Sequence, residues 1–103
     1  VPPSFGQVWT AGHPIQLEVL PAVPHLVVSS GLYNESGLGV IVAEIDPHEM
    51  RDPELHEPIP GIGTVMLDRL AWYPQSWLRE HLGDLPEDRH TELGRLIRNL
   101  IGP

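Results

Sequence analysis

Six histidines, two adjacent serines and an excess of carboxylates are the groups in this sequence that could transfer protons, bind a metal or attack a substrate. His48-Glu49 and His56-Glu57 form two His-Glu pairs. A zinc helix needs its two imidazoles four residues apart on one face, and Pro53 between the pairs prevents such a helix. With no cysteine in the chain, the expectation is a solvated acidic loop with no metal and no cofactor. His25, Ser29, Ser30 and Asp46 contain the members of a Ser-His-Asp triad, but no Gly-x-Ser-x-Gly turn accompanies them. His25 reads more simply as a surface residue at the start of a strand. The glycines of Gly37-Leu38-Gly39 and Gly61-Ile62-Gly63 suit hairpins and lack the Lys of a phosphate loop. Trp72, Tyr73 and Trp77 form an aromatic cluster able to line a partner-binding groove, since aromatics dominate interface hot spots.

Charge restricts the partners. All six basic residues are arginines (Arg51, Arg69, Arg79, Arg89, Arg95 and Arg98), so residues 1–50 hold no fixed cation. A net charge of −8 repels a polyanion at long range and offers little counterion release. Binding of single-stranded RNA would need a local exception, such as an arginine cluster from the second half. Arg89, Arg95 and Arg98, on the outer face of the terminal helix, are the candidates for one. No apolar run reaches the roughly 18 residues that span a bilayer. No signal-peptide pattern is present, and the expected compartment is the cytoplasm, without a membrane.

These groups must be positioned by one domain covering residues 1–103, a length that supports a single core. The spacing of Leu93, Leu96, Ile97, Leu100 and Ile101 predicts a helix over about 85–101 with all five on its buried face. Asp84 and Glu87 are placed as a capping box at its start, with Pro86 in the first turn. Upstream the chain reads as strands: Gly6–Ala11, Ile15–Leu20 by its alternation, His25–Ser30, and Gly39–Ile45. Gly31–Gly37 is a loop with one helical turn near Leu32–Asn34, short enough to let the last two strands pair. Asp46–Pro60 holds four prolines and is expected to be irregular. Gly63–Leu67, Asp68–Trp72 and Trp77–His81 complete the set. Short strands and one amphipathic helix predict a mainly β fold, a small partly open barrel with a C-terminal helix.

Several segments, taken in order, resemble the MazF/PemK family, the toxin halves of type II toxin–antitoxin pairs. They are Gly6-Gln-Val-Trp9, Pro24 through Asn34, Gly39–Ile45, Gly63-Thr-Val-Met-Leu-Asp-Arg69, and the helix end Leu-Ile-Arg-Asn-Leu-Ile-Gly102. The resemblance implies an SH3-like barrel and a homodimer. It also implies a cognate antitoxin, acidic and partly disordered, and metal-independent cleavage of RNA by an endoribonuclease. The family's catalytic Arg and Thr fall on Val23 and Asp46. Cleavage needs a proton shuttle at the 2′-hydroxyl and a cation near the phosphate, and loss of that cation costs several kcal/mol. Two readings stay open. Catalysis is rebuilt with Asp46, His25 and His48 (His13 being a further imidazole), or the chain is a non-catalytic module that binds an antitoxin-like peptide or a gyrase-type protein target. Asp68–Leu100 also resembles the gyrase poison CcdB. CcdB acts through Trp-Gly-Ile after the helix, where this sequence has Gly102-Pro103.

Overall fold

A computed structural model describes residues 1–48 and 52–103. Six antiparallel strands form one sheet: β1 (Gln7–Ala11), β2 (Val23–Val27), β3 (Gly39–Asp46), β4 (His56–Ile59), β5 (Gly63–Pro74) and β6 (Leu78–Asp84). Their spatial order is β4-β5-β3-β2-β1-β6, so β4 and β6 are the edges and the barrel stays open. A short helix α1 (Gly31–Asn34) links β2 to β3, and helix α2 (His90–Leu100) ends the fold. The β2–β3 pairing foreseen from the short connection is present, with His25 opposite Glu44 and Val27 opposite Val42.

Strand alternation gives the sheet two apolar faces. Val8, Leu26, Ala43, Ile45, Val65 and Leu67 point toward α2 and bury against its Leu93 and Leu96. Val27, Val40 and Val42 face the other way, beneath Trp9, Ala71, Tyr73 and Leu78. Only the first part of the predicted helical stripe is used. Leu93 and Leu96 are buried and Ile97 partly so, while Leu100 and Ile101 remain exposed because the helix runs past the sheet.

The helix also starts later than its sequence suggests. Asp84 is the last residue of β6, Pro86 is extended, and Glu87–Arg89 form a 3-10 turn before His90. No side chain caps either start, so the capping box is not formed. Leu85 explains the delay: it is buried, and its N–H donates to the Gly6 carbonyl, which holds the chain extended.

Three further expectations are corrected. Ile15–Leu20 is not a strand, since no partner strand lies beside it. Pro14 and Pro21 bracket a 3-10 turn at Gln16–Glu18, in which Val19 N–H donates to the Gln16 carbonyl. Ile15, Val19 and Leu20 are consequently exposed. Within the supposedly irregular 46–60 segment, His56–Ile59 pairs with β5. Pro58 is tolerated there because an edge strand needs no N–H on its outer side. Gly63–Leu67 and Asp68–Trp72 are one strand interrupted by a bulge: Ala43 pairs with Leu70 but Glu44 with Met66, which displaces Leu67, Asp68 and Arg69. Leu67 turns into the core, and Asp68 and Arg69 turn to solvent.

Candidate functional site

His25, expected at the surface, is 2% exposed. Its Nδ1–H donates to the Val23 carbonyl at 2.9 Å, so Nε2 is left as an acceptor for the Tyr73 hydroxyl at 3.3 Å. Burial lowers the imidazole below its ordinary value of 6.5, outweighing the Val23 carbonyl and the Glu44 carboxylate, which act the other way. Tyr73 is raised by burial and then by Glu44, so it stays a protonated donor. The pair lies in a cleft of about 170 Å³ beneath the 12–23 loop, with His13, Leu20, Val23 and Trp77 among its walls. Among the described residues, no Arg or Lys lines it.

The aromatic cluster does not form one surface. Tyr73 and Trp77 sit 5.2 Å apart inside this cleft. Trp72, the neighbouring strand residue, faces away, is 53% exposed, covers Gly39 and donates its indole N–H to Tyr33. A partner touching all three would have to span both sides of β5.

Asp46 and His48 are brought together. The imidazole Nε2 of His48 lies 3.5 Å from Asp46 Oδ1, and Asp46 Oδ1 also accepts the His48 backbone N–H at 2.9 Å. Thr64 Oγ1 donates to the His48 carbonyl at 2.5 Å and ties that turn to β5. On the other oxygen, Arg69 Nη1 approaches Asp46 Oδ2 to 3.6 Å. The β5 bulge is what brings Arg69 there, and no signal in the sequence marks it. Gly63 permits the close packing, because a Cβ at that position would lie 2.7 Å from the Asp46 carbonyl oxygen. Extending the β2–β3 register by two residues places Val23 toward Asp46, at the strand ends where the resemblance locates catalysis. His25 belongs to a separate network.

Other groups named from the sequence are structural. Ser29 Oγ donates to Asn34 Oδ1, and Asn34 in turn donates to the Pro3 carbonyl, a buried chain that anchors the N-terminal segment. Ser29, His25 and Asp46 thus have different partners, and no triad forms. His56 accepts the Asp52 backbone N–H, whereas Glu49 of the first His-Glu pair and Arg51 lie outside the described residues. Two of the three helix arginines are tied up, and Arg98 makes no ion pair among the described residues. Arg89 is held bidentately by Glu57 at 2.7 and 2.9 Å, and Arg95 by Glu92. No helix among the described residues is long and apolar enough to cross a membrane.

Among solved structures the chain is similar to MazF toxins. It superposes on an endoribonuclease from a mycobacterial species with a TM-score of 0.76 at 19% identity, covering 96% of this chain and 90% of that one. A mycobacterial endoribonuclease in complex with its cognate antitoxin gives 0.73 at 20% identity, covering 98% and 99%. MazF from Deinococcus radiodurans gives 0.73 at 23% identity, covering 100% and 99%. No family model matches the chain, and no curated protein matches it in sequence. The fold is therefore the MazF fold, with the C-terminal helix in its expected place.

Proposed function

We propose that residues 1–103 act as one domain, the toxin of a type II toxin–antitoxin pair, working in the cytoplasm as a homodimer restrained by a cognate antitoxin. The observation that carries this reading is the near end-to-end superposition on MazF endoribonucleases, one of them solved with its antitoxin. The activity we assign is metal-independent cleavage of single-stranded RNA, in which the 2′-oxygen attacks phosphorus and the 5′-oxygen leaves. Val23 cannot take part in proton transfer, so the groups at the strand ends must do so, with Asp46 and His48 adjacent to each other.

A second reading, a protein-binding module without catalysis, is favoured by one observation. Val23 is 50% exposed beside a cleft that no cation lines among the described residues, and Ile15, Val19 and Leu20 on the same loop are exposed too. Trp72, Tyr73 and Trp77 would then serve docking, from opposite sides of β5. Induction in a bacterial host, with growth and transcript integrity followed together, separates the two. Growth arrest with transcripts cut at defined sites supports the ribonuclease. Arrest with intact transcripts supports a protein target, and unimpaired growth removes the toxin reading.

A further inference from the structure

The cation missing at Val23 has a replacement in space. We infer that Arg69 is the phosphate-binding residue of this protein, and that it works with a His48 imidazole positioned by Asp46. The inference rests on the ribonuclease reading for its chemistry, though not for its binding site.

The first observation is the bulge. An uninterrupted ladder from Ala43–Leu70 would set Arg69 opposite Glu44, but Leu67–Arg69 are displaced from the pairing and Arg69 reaches Asp46 at the end of β3. Bulges beside functional sites commonly re-aim a side chain in this way. Leu67 fixes the geometry, being fully buried with its N–H donating to the Leu55 carbonyl.

The second observation is that the guanidinium is held loosely. It approaches Asp46 only to 3.6 Å, and half of its side chain is exposed. Arg89 and Arg95, by contrast, spend their donor edges on bidentate carboxylates. A planar guanidinium that is oriented but not consumed can turn its fork to a phosphodiester. Asp46 keeps Arg69 in place and lowers the cost of that turn, since the carboxylate can pass to His48.

The third observation is the imidazole. His48 Nε2 lies 3.5 Å from Asp46 Oδ1 on a ring that is 77% exposed, so its other nitrogen, Nδ1, is open to a substrate hydroxyl. In the step this geometry allows, neutral His48 takes the 2′-hydroxyl proton while the 2′-oxygen bonds to phosphorus. The bond from phosphorus to the 5′-oxygen breaks, and that oxygen takes a proton from water. The products are a 2′,3′-cyclic phosphate and a 5′-hydroxyl, and His48 returns its proton to solvent. Arg69 faces the charge that grows on the phosphoryl oxygens. The site is small and local, which is how a chain of net charge −8 can still accept a phosphodiester.

Binding and cleavage test this separately. Binding is measured with a random-sequence 2′-O-methyl RNA octamer, which cannot be cut, by amide shifts on the whole protein. Wild type should shift at Asp46, His48 and Arg69. Arg69→Ala should bind about tenfold more weakly with a salt slope smaller by about one, and Arg69→Lys should recover part of the loss. Arg98→Ala is the control and should match wild type. Cleavage of unmodified RNA should fall about a hundredfold in kcat for His48→Ala with KM little changed, whereas Arg69→Ala should change both. Equal binding by Arg69→Ala and wild type overturns the inference, as do wild-type shifts confined to the Trp77 cleft or absent. Octamer binding that depends on Arg69, with no cleavage by wild type, upholds the phosphate site and removes the ribonuclease reading.

Discussion

Two carboxylate–guanidinium pairs hang from neighbouring strands of this sheet and do opposite things. Glu57 on β4 and Arg89 before α2 make a bidentate pair with the carboxylate almost wholly buried. Asp46 on β3, partly buried, and half-exposed Arg69 on β5 meet at 3.6 Å. The first pair is locked by desolvation. Once Glu57 is out of water, only Arg89 can satisfy it, and the hydrogen bond and charge of Glu57 raise the guanidinium further. It fastens the turn before the terminal helix to β4. In the second pair water competes for half-exposed Arg69, so little energy is tied up and its donors are not all spent. Identical chemistry is structural in one place and usable in the other because burial differs.

That contrast can be broken from either side. The largest effect should come from neither pair: Leu93→Ala, which empties a fully buried position under α2, should cost about 2–5 kcal/mol in denaturant unfolding. A smaller loss would mean that the helix is held mainly by its ion pair. Arg89→Ala should cost about 2–3 kcal/mol because it strands a buried carboxylate. Glu57→Gln should cost less, since the half-exposed Arg89 can rehydrate. Equal costs for the two variants would contradict the asymmetry. Tyr73→Phe removes one long hydrogen bond to His25 and should cost about 1 kcal/mol. Arg69→Ala should fall within about 0.5 kcal/mol of wild type in stability while the proposed octamer binding weakens about tenfold.

His25 adds a pH dependence to the comparison. Its folded-state pKa is depressed, so below the ordinary value of 6.5 the unfolded imidazole binds a proton that the folded one refuses. Stability is therefore full above that value and falls as pH drops through it, levelling once the folded imidazole also protonates. A Tm series between about pH 8 and pH 5 should show this decline. His25→Gln should flatten it, and an unchanged decline in that variant would assign the effect to other groups.

Much of this fold is legible along the chain because its signals are local. The Gly39–Ile45 run, the short return from His25–Ser30 and the i, i+3, i+4 spacing from Leu93 each need only neighbouring residues to be read. The alternation in Ile15–Leu20 misleads, because a strand also requires an adjacent edge and that loop has none. His56–Ile59 escapes notice for the converse reason: β5 supplies the pairing that its own composition does not announce. At the site, Asp46 and His48 are two residues apart and readable as candidates, but His25 looks like a surface residue until the sheet covers it.

The sequence by itself determined the mainly β class of the fold, most of its strands, the terminal helix and the presence of a valine, not a cation, at position 23. Those follow from residue type and short-range spacing. Only the tertiary structure decided that Arg89 and Arg95 are held bidentately while Arg69 meets its carboxylate at longer range. Glu57 meets Arg89 across 32 residues, and Arg69 reaches Asp46 through a bulge that exists only when β3 and β5 pair out of step. Contacts so far apart in the chain depend on register and burial, and neither is written into the residues one at a time.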